Sequence, residues 1–151
     1  MRLNIIGGGR LGRTLGRLWH ASGAFVIGEV CARSAAGAAA AVDFIGAGRA
    51  CDALRAMREA EVWLLAPPDD AIGGCAAELA TGRLCRTDDI VFHCSGALSS
   101  AALATAAAVQ SFAGTACAAD GDAAALSVLE PAFARIGARV FRIERAAKPL
   151  Y

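Results

Sequence analysis

Short apolar segments alternate along the chain with longer segments that have helical periodicity. Residues 3–6 form an apolar run that ends in three glycines. Beyond the glycines, Leu11, Leu15, Leu18 and Trp19 recur at the spacing of one face of an amphipathic helix. This order predicts a strand, a tight turn and a helix.

The same alternation continues to the end of the chain. Further strands are predicted at residues 25–31, 62–66, 90–94 and 138–143, with a brief one at 43–45. Helices are predicted at residues 34–42, 52–58, 70–79 and 122–136, and in an alanine-rich segment that ends near residue 108. The strands are almost continuously apolar, as a sheet covered on both faces requires. The pattern therefore predicts an α/β fold with a mainly parallel sheet.

Length and charge narrow the class of protein. A chain of 151 residues predicts one domain over residues 1–151. The net charge of +1 gives no field that would concentrate a polyanion, which argues against nucleic acid as a partner. No apolar run is long enough to cross a membrane, and the N-terminus does not resemble a signal peptide, so we expect a cytoplasmic protein. The six cysteines lack the spacing of metal ligands, which predicts reduced, mostly buried thiols and no metal site.

Gly7, Gly9 and Gly12 form a G-x-G-x-x-G pattern between a predicted strand and a predicted helix. In a dinucleotide-binding turn the first glycine permits the bend, the second lets the backbone approach a pyrophosphate, and the third lets the helix pack close to the strand. The start of the helix then offers free N–H groups to the phosphates. The alternative is a glycine turn that serves close packing only.

The end of the second predicted strand bears on the choice of dinucleotide. An acidic residue there would bind the ribose 2′-hydroxyl of NAD, but the chain has Ala32, Arg33 and Ser34, and Glu29 lies within the strand. A guanidinium followed by a hydroxyl suits a 2′-phosphate, which favours NADP over NAD. The alternatives are a solvated loop charge at Arg33 and a helix cap at Ser34.

A nucleotide-hydrolase pattern competes for the same turn. Residues 7–14 also fit G-x-x-x-x-G-[KR]-[ST], with Arg13 in place of the lysine of a phosphate-binding loop. Arginine does not replace that lysine well, and the strand leads into Ala66 and two prolines where an acid directly after it would be needed to hold magnesium. Both mismatches count against hydrolysis.

Three segments together resemble a known group of proteins: residues 4–12 (NIIGGGRLG), 64–72 (LLAPPDDAI) and 92–99 (FHCSGALS). They resemble the Rossmann-like N-terminal domain of the phosphogluconate-dehydrogenase-like superfamily, and most of all a bacterial family of uncharacterised oxidoreductases. Relatives include pyrroline-carboxylate reductase and the NADP oxidoreductases that use a deazaflavin coenzyme. The resemblance implies a doubly wound sheet and hydride transfer between a nicotinamide cofactor and an unknown small substrate.

The resemblance also extends the expected cofactor site. It implies that the segment after the fourth strand lines the cofactor and that the segment after the fifth lies beside the nicotinamide. The expected cofactor-binding residues are Gly7, Gly9, Arg10, Leu11, Gly12, Arg33, Ser34, Ala66, Pro67, Pro68, Asp69, Ser95 and Gly96. The structural alternatives are that the two prolines only end a strand and that Ser95 only caps a helix.

Two features depart from the family pattern. Residues 106–108 run directly into 109–112 (VQSF), where relatives have a further strand and a His-Pro pair. Residues 148–151 resemble the hinge to a helical C-terminal domain, and we expect that domain to be absent from this chain. In relatives that domain completes the substrate pocket, supplies an acid/base residue and forms a dimer interface.

We therefore expect cofactor binding without complete catalysis, and a homodimer only where that helical domain is present. The catalytic residues are unknown, because His93 at a strand end fits a buried structural role better than that of a general acid. The alternative function is a non-catalytic dinucleotide-sensing module whose partner is another protein.

Overall fold

The computed structural model describes residues 1–86, 88–95, 116–119 and 121–143. The strands are β1 (Arg2–Ile6), β2 (Val26–Cys31), β3 (Arg49–Cys51), β4 (Val62–Leu65), β5 (Ile90–His93), β6 (Ala116–Ala119) and β7 (Arg139–Arg142). The helices are α1 (Arg10–Ala21), α2 (Ala35–Ile45), α3 (Asp69–Thr81) and α4 (Ala123–Ala134), and a 3-10 turn lies at Leu54–Ala56.

Five strands form one parallel sheet in the order β3-β2-β1-β4-β5. The chain runs outward from β1 through β2 to β3 and then returns to the other side of β1 for β4 and β5, which is the doubly wound arrangement. Strands β6 and β7 form a separate two-stranded parallel sheet. The predicted α/β, Rossmann-like fold with a mainly parallel sheet is confirmed.

Each face of the five-stranded sheet is covered by its own apolar cluster. On one face α1, α2 and α4 pack on the strands around Trp19, whose ring meets Phe25 and Phe133 edge to face at centroid distances of 5.4 and 5.2 Å. On the other face α3 and the 3-10 turn pack on Trp63 and Leu65. Because successive side chains of a strand point to opposite faces, a sheet covered twice requires strands that are apolar throughout.

The prediction of a brief strand at residues 43–45 is wrong. These residues are the last turn of α2, which ends at Gly46 in the left-handed conformation (φ +84°), with the Gly46 N–H donating to the Val42 carbonyl at 2.9 Å. The apolar character of Ile45 reflects a contact between helices: a Cβ built on Gly16 of α1 would lie 2.8 Å from Ile45 Cδ1. A helix contact was therefore mistaken for a strand.

Three other expectations change. The predicted helix at residues 52–58 is only the 3-10 turn. Strands β3 and β6 are present in the structure but were not predicted. Both strands are short and composed mainly of residues with little strand preference, so pairing with a neighbour decides their conformation. The predicted helix of residues 122–136 is confirmed as α4. The predicted helix that ends near residue 108, the missing strand beyond it, and the hinge at 148–151 lie outside the described residues.

Cys31, Cys51, Cys75 and Cys85 are free thiols. Burial raises the pKa of Cys31 and of Cys85 to about 11 each, so both are protonated at neutral pH. The described ranges contain no cluster of side chains that could hold a metal ion, and no helix long and apolar enough for a bilayer crossing.

A buried asparagine stabilises an irregularity between β1 and β2. Between Leu3 and Ile5 of β1, the paired segment of β2 contains one residue more than β1 does. This extra residue makes a β-bulge in β2. Asn4 is fully buried there, with its Oδ1 accepting from the Glu29 N–H at 2.8 Å and its Nδ2 donating to the Arg58 carbonyl at 2.7 Å. A Cβ on Gly28 would overlap Asn4 Oδ1, so the bulge requires glycine at that position.

Replacing Asn4 with alanine should lower the free energy of unfolding by about 1–3 kcal/mol, because the buried Glu29 N–H loses its hydrogen-bond partner, and the loss of the part-buried bond to the Arg58 carbonyl adds less. Urea denaturation followed by circular dichroism measures the loss. Thr81→Ala is the control, since it removes an exposed side-chain hydrogen bond and should cost less than about 1 kcal/mol. A loss for Asn4→Ala no larger than that of the control would contradict this role.

Candidate functional site

The carboxyl ends of four adjacent strands meet at one edge of the sheet. The strand register places Cys31, Ile6, Leu65 and His93 side by side in one row that crosses β2, β1, β4 and β5. With neighbouring strands about 4.8 Å apart, this row is about 14 Å long. The segments that follow these four residues form the edge where open parallel sheets bind ligands, at the point where the order of strands reverses.

The glycine turn lies over the centre of this edge. Gly7 has φ +114°, and its N–H donates to the Cys31 carbonyl at 2.8 Å. A Cβ on Gly7 would overlap the Ala66 carbonyl, and a Cβ on Gly12 would overlap the carbonyl of Gly7. The tight turn and the close approach of helix to strand that the spacing predicts are both present.

Gly9 differs from its two neighbours in the pattern. It has ordinary extended backbone angles (φ −71°, ψ −177°), and a Cβ built on it meets nothing within 4 Å. Neither strain nor packing inside the protein requires glycine at this position. The alternative that the glycines serve packing only therefore accounts for Gly7 and Gly12 and leaves Gly9 unexplained.

The start of α1 is electrostatically unlike the other described helix starts. Ser34 caps α2, Asp122 caps α4, and α3 carries two aspartates in its first turn. In contrast, α1 has no side-chain cap and no acidic residue in its first turn, where exposed Arg10 adds a positive charge. The N-terminal N–H groups and partial positive charge of α1 are thus uncompensated within the described part of the chain, as suits an anion site.

The loop after β2 carries a second positive charge. Arg33 is exposed and makes no ion pair with any residue that the structure describes. Ser34 caps α2, accepting from the Gly37 N–H at 3.1 Å, so the cap alternative is confirmed while the hydroxyl proton can still be donated. This loop lies next to the glycine turn, since a Cβ on Gly8 would be 3.2 Å from Ala32 Cβ.

Glu29 is unavailable to a ligand at this edge. Its side chain is only 5% exposed, and its carboxylate accepts from Arg49 Nε at 2.9 Å and from the Arg58 backbone N–H at 2.7 Å. The expectation that Glu29 lies within the strand rather than at its carboxyl end is confirmed. No acidic side chain follows β2 in the loop of residues 32–34.

Asp69 and Ser95 connect the ends of β4 and β5. Ser95 is 3% exposed, and its hydroxyl donates to Oδ2 of Asp69 over 2.6 Å. Asp69 lies in the first turn of α3. The Ser95 N–H donates to Nδ1 of His93 at 3.0 Å, which leaves the proton of a neutral imidazole on Nε2. Sequence patterns do not reveal this contact, because its two partners are 26 residues apart.

The structure thus brings most of the expected residues to one edge. The glycine turn, Ala66, Asp69 and Ser95 lie together across β1, β4 and β5, and Arg33 lies beside them after β2. Gly96 lies outside the described residues. His93 is 1% exposed, in agreement with the structural alternative for this side chain.

The nucleotide-hydrolase alternative gains no support from the geometry. The Arg13 guanidinium lies 4.9 Å from the ring centroid of Phe44, near the end of α2, in a cation–π contact. The segment after β4 begins with Ala66 and two prolines and offers no magnesium-binding acid directly after the strand.

Fold and site together define a doubly wound α/β protein with a glycine turn at its strand switch point. Residues 1–115 match the Rossmann-like domain family, to which the chain belongs. No functionally curated protein matches the sequence.

Solved structures of low sequence identity share the fold. BF3122 of Bacteroides fragilis, provisionally named an NADP oxidoreductase, has a TM-score of 0.78 at 16% identity, covering 97% of this chain and 62% of its own. TM1727 of Thermotoga maritima has a TM-score of 0.71 at 23% identity, covering 99% and 60%. Prephenate dehydrogenase of Aquifex aeolicus, in complex with hydroxyphenyl propionate and NAD⁺, has a TM-score of 0.75 at 14% identity, covering 98% and 61%. The chain therefore spans about three fifths of these structures.

Proposed function

We propose that this chain binds NADP(H) as the cofactor domain of an oxidoreductase. The observation that carries the proposal is Gly9, a glycine whose missing side chain leaves open space in front of an uncapped helix start. A pyrophosphate needs both features, because its oxygens must approach the backbone closely to reach the helix N–H groups. No contact within the described part of the protein accounts for them.

The order of groups along the edge supports an extended dinucleotide. The pyrophosphate would lie at the α1 start above β1, and Arg33 after β2 would be on the adenosine side. The other half of the molecule would then extend over β4 and β5, toward Asp69 and Ser95. In doubly wound sheets this crevice is the usual dinucleotide site.

The charges after β2 favour NADP over NAD. NAD recognition uses a carboxylate for the ribose 2′-hydroxyl, and the buried carboxylate of Glu29 is already bound to Arg49 and to the Arg58 backbone. Arg33 is exposed and without a carboxylate partner in the described ranges, and guanidinium pairs strongly with phosphate. Ser34 adds a hydroxyl beside it.

When bound, the nicotinamide would supply hydride transfer. The chain's own contribution is to bind and orient the dinucleotide through the α1 start, Arg33 and the ends of β4 and β5. The names of two similar structures, an NADP oxidoreductase and a prephenate dehydrogenase with NAD⁺, agree with this class of reaction. We assign neither a substrate nor a catalytic acid or base to this chain.

Fluorescence titration tests the proposal directly. NADPH should bind saturably, with a dissociation constant at least about tenfold below that of NADH, because only NADPH offers a 2′-phosphate to Arg33. Adenosine 2′,5′-bisphosphate should displace NADPH more effectively than AMP. Failure of both NADPH and NADH to bind at millimolar concentration would overturn the proposal, and equal binding would remove its NADP preference.

A further inference from the structure

Arg10 occupies a position where the fold gives no reason for a positive charge. It is the first residue of α1, and a cation at a helix N-terminus is opposed by the partial positive charge of the helix dipole. The other described α-helices begin with alanine or aspartate: Ala35, Asp69 and Ala123. Arg10 is exposed and forms no ion pair with any residue that the structure describes. The stability of the described part of the protein therefore does not explain its charge.

Arg10 and Arg33 lie on two segments that meet beside the glycine turn. A Cβ built on Gly8 would be 3.2 Å from the Cβ of Ala32. Because consecutive Cα atoms are about 3.8 Å apart, the Cα of Arg10 lies within about 7.6 Å of that of Gly8, and Arg33 directly follows Ala32. These spans are comparable to the length of an extended arginine side chain. The two guanidinium groups can thus reach one common anion.

No acidic residue competes for these cations in the segments that carry them. Residues 7–21 and 32–42 contain four arginines and neither aspartate nor glutamate. Two of the four arginines lie over the ring of Phe44, at 4.9 and 5.3 Å from its centroid. Arg10 and Arg33 are the other two, and neither has an ion pair or a ring contact within the described ranges.

We propose that Arg10 and Arg33 together hold the 2′-phosphate of NADP(H), so that Arg10 is a second specificity-determining residue for the cofactor. This inference rests on the proposed function. The ribose that carries the 2′-phosphate is joined directly to the pyrophosphate. A pyrophosphate at the α1 start therefore places the 2′-phosphate one sugar ring away, on the side of Arg33. A phosphate monoester has a charge of about −1.5 to −2 at neutral pH, which two guanidinium groups neutralise more fully than one.

Replacing Arg10 with alanine should weaken NADPH binding about tenfold and change NADH binding by less than about twofold, because only NADPH has the phosphate that Arg10 contacts. Arg33→Ala should keep a reduced preference for NADPH, whereas the double variant Arg10→Ala/Arg33→Ala should bind both nucleotides alike. Arg10→Lys should lose less NADPH affinity than Arg10→Ala, since lysine keeps the charge but not the paired donors. Fluorescence titration at fixed ionic strength measures these dissociation constants.

Arg17→Ala is the matched control. Arg17 is exposed in the same helix, seven residues beyond Arg10, which is about 10 Å along the helix axis. Its replacement removes the same charge from α1 and should leave the ratio of the NADPH and NADH dissociation constants unchanged. Thermal unfolding of Arg10→Ala should occur at or slightly above the wild-type temperature, because the helix start loses an unfavourable charge.

The outcomes separate this inference from the proposed function. If the wild-type chain binds neither NADPH nor NADH, the dinucleotide proposal fails and this inference fails with it. If Arg10→Ala weakens NADPH and NADH equally, Arg10 contacts a group that both share, such as the pyrophosphate, and the inference is overturned while dinucleotide binding stands. Unchanged NADPH affinity in Arg10→Ala, or an equal fall in preference in Arg17→Ala, would also overturn it.

Discussion

Replacing Gly9 with alanine should weaken NADPH binding by roughly 100-fold without changing the stability of the free protein. The backbone of Gly9 suits alanine, and the added Cβ has open space around it, so folding should be unaffected. In the complex that methyl group would occupy the place of the pyrophosphate and cost about two hydrogen bonds from N–H groups to a charged oxygen, near 1.5 kcal/mol each. Fluorescence titration and thermal unfolding measure the two quantities.

Gly74→Ala provides the matched control for that experiment. Gly74 is exposed in the middle of α3, and a Cβ there also meets nothing within 4 Å. Alanine at this position should leave NADPH binding unchanged and raise stability by about 0.5–1 kcal/mol, the ordinary effect of replacing glycine within a helix. Wild-type NADPH affinity in Gly9→Ala would show that the α1 start does not hold the phosphates.

Replacing Arg33 with alanine should reduce NADPH affinity by about 10- to 100-fold and leave NADH affinity nearly unchanged. A charge-assisted pair between guanidinium and phosphate is worth about 1.5–3 kcal/mol, and NADH has no 2′-phosphate with which to form it. The ratio of the two dissociation constants, measured at fixed ionic strength, is the relevant quantity. The difference should shrink as salt is added.

Arg55→Ala controls for the loss of positive charge. Arg55 is exposed in the 3-10 turn and lies in a different segment from the loop after β2. Its removal should affect NADPH and NADH alike and only slightly. A preference for NADPH that survives in Arg33→Ala would show that a group other than Arg33 recognises the 2′-phosphate.

The sequence predicted those parts of the fold whose cause is local. Apolar runs identified β1, β2, β4 and β5, because strands covered on both faces leave that signature. Strand β3 was missed since only its pairing with β2 decides its conformation. Ile45 was misread because an apolar residue at the end of a helix and one in a strand look alike until Gly16 of α1 is known to lie against it.

The candidate site divides in the same way. Spacing alone located Gly7, Gly9 and Gly12, since the turn, the open space and the helix contact all arise within one short segment. The hydrogen bond between Asp69 and Ser95 depends on how β4 and β5 align, which no local pattern contains. The missing side-chain cap of α1 points to an anion site only when it is compared with the starts of α2 and α4, where a side chain accepts from the free N–H groups.

Two backbone hydrogen bonds continue the sheet one step beyond its strands: Gly7 N–H to the Cys31 carbonyl at 2.8 Å, and Ala66 N–H to the Ile6 carbonyl at 2.7 Å. They tie the segment after β1 to the end of β2, and the segment after β4 to the end of β1, before any ligand arrives. The backbone beneath the crevice is therefore already ordered in the free protein, so little conformational entropy is lost there when a molecule binds. We expect its capture to be limited by diffusion and desolvation rather than by rearrangement of these segments.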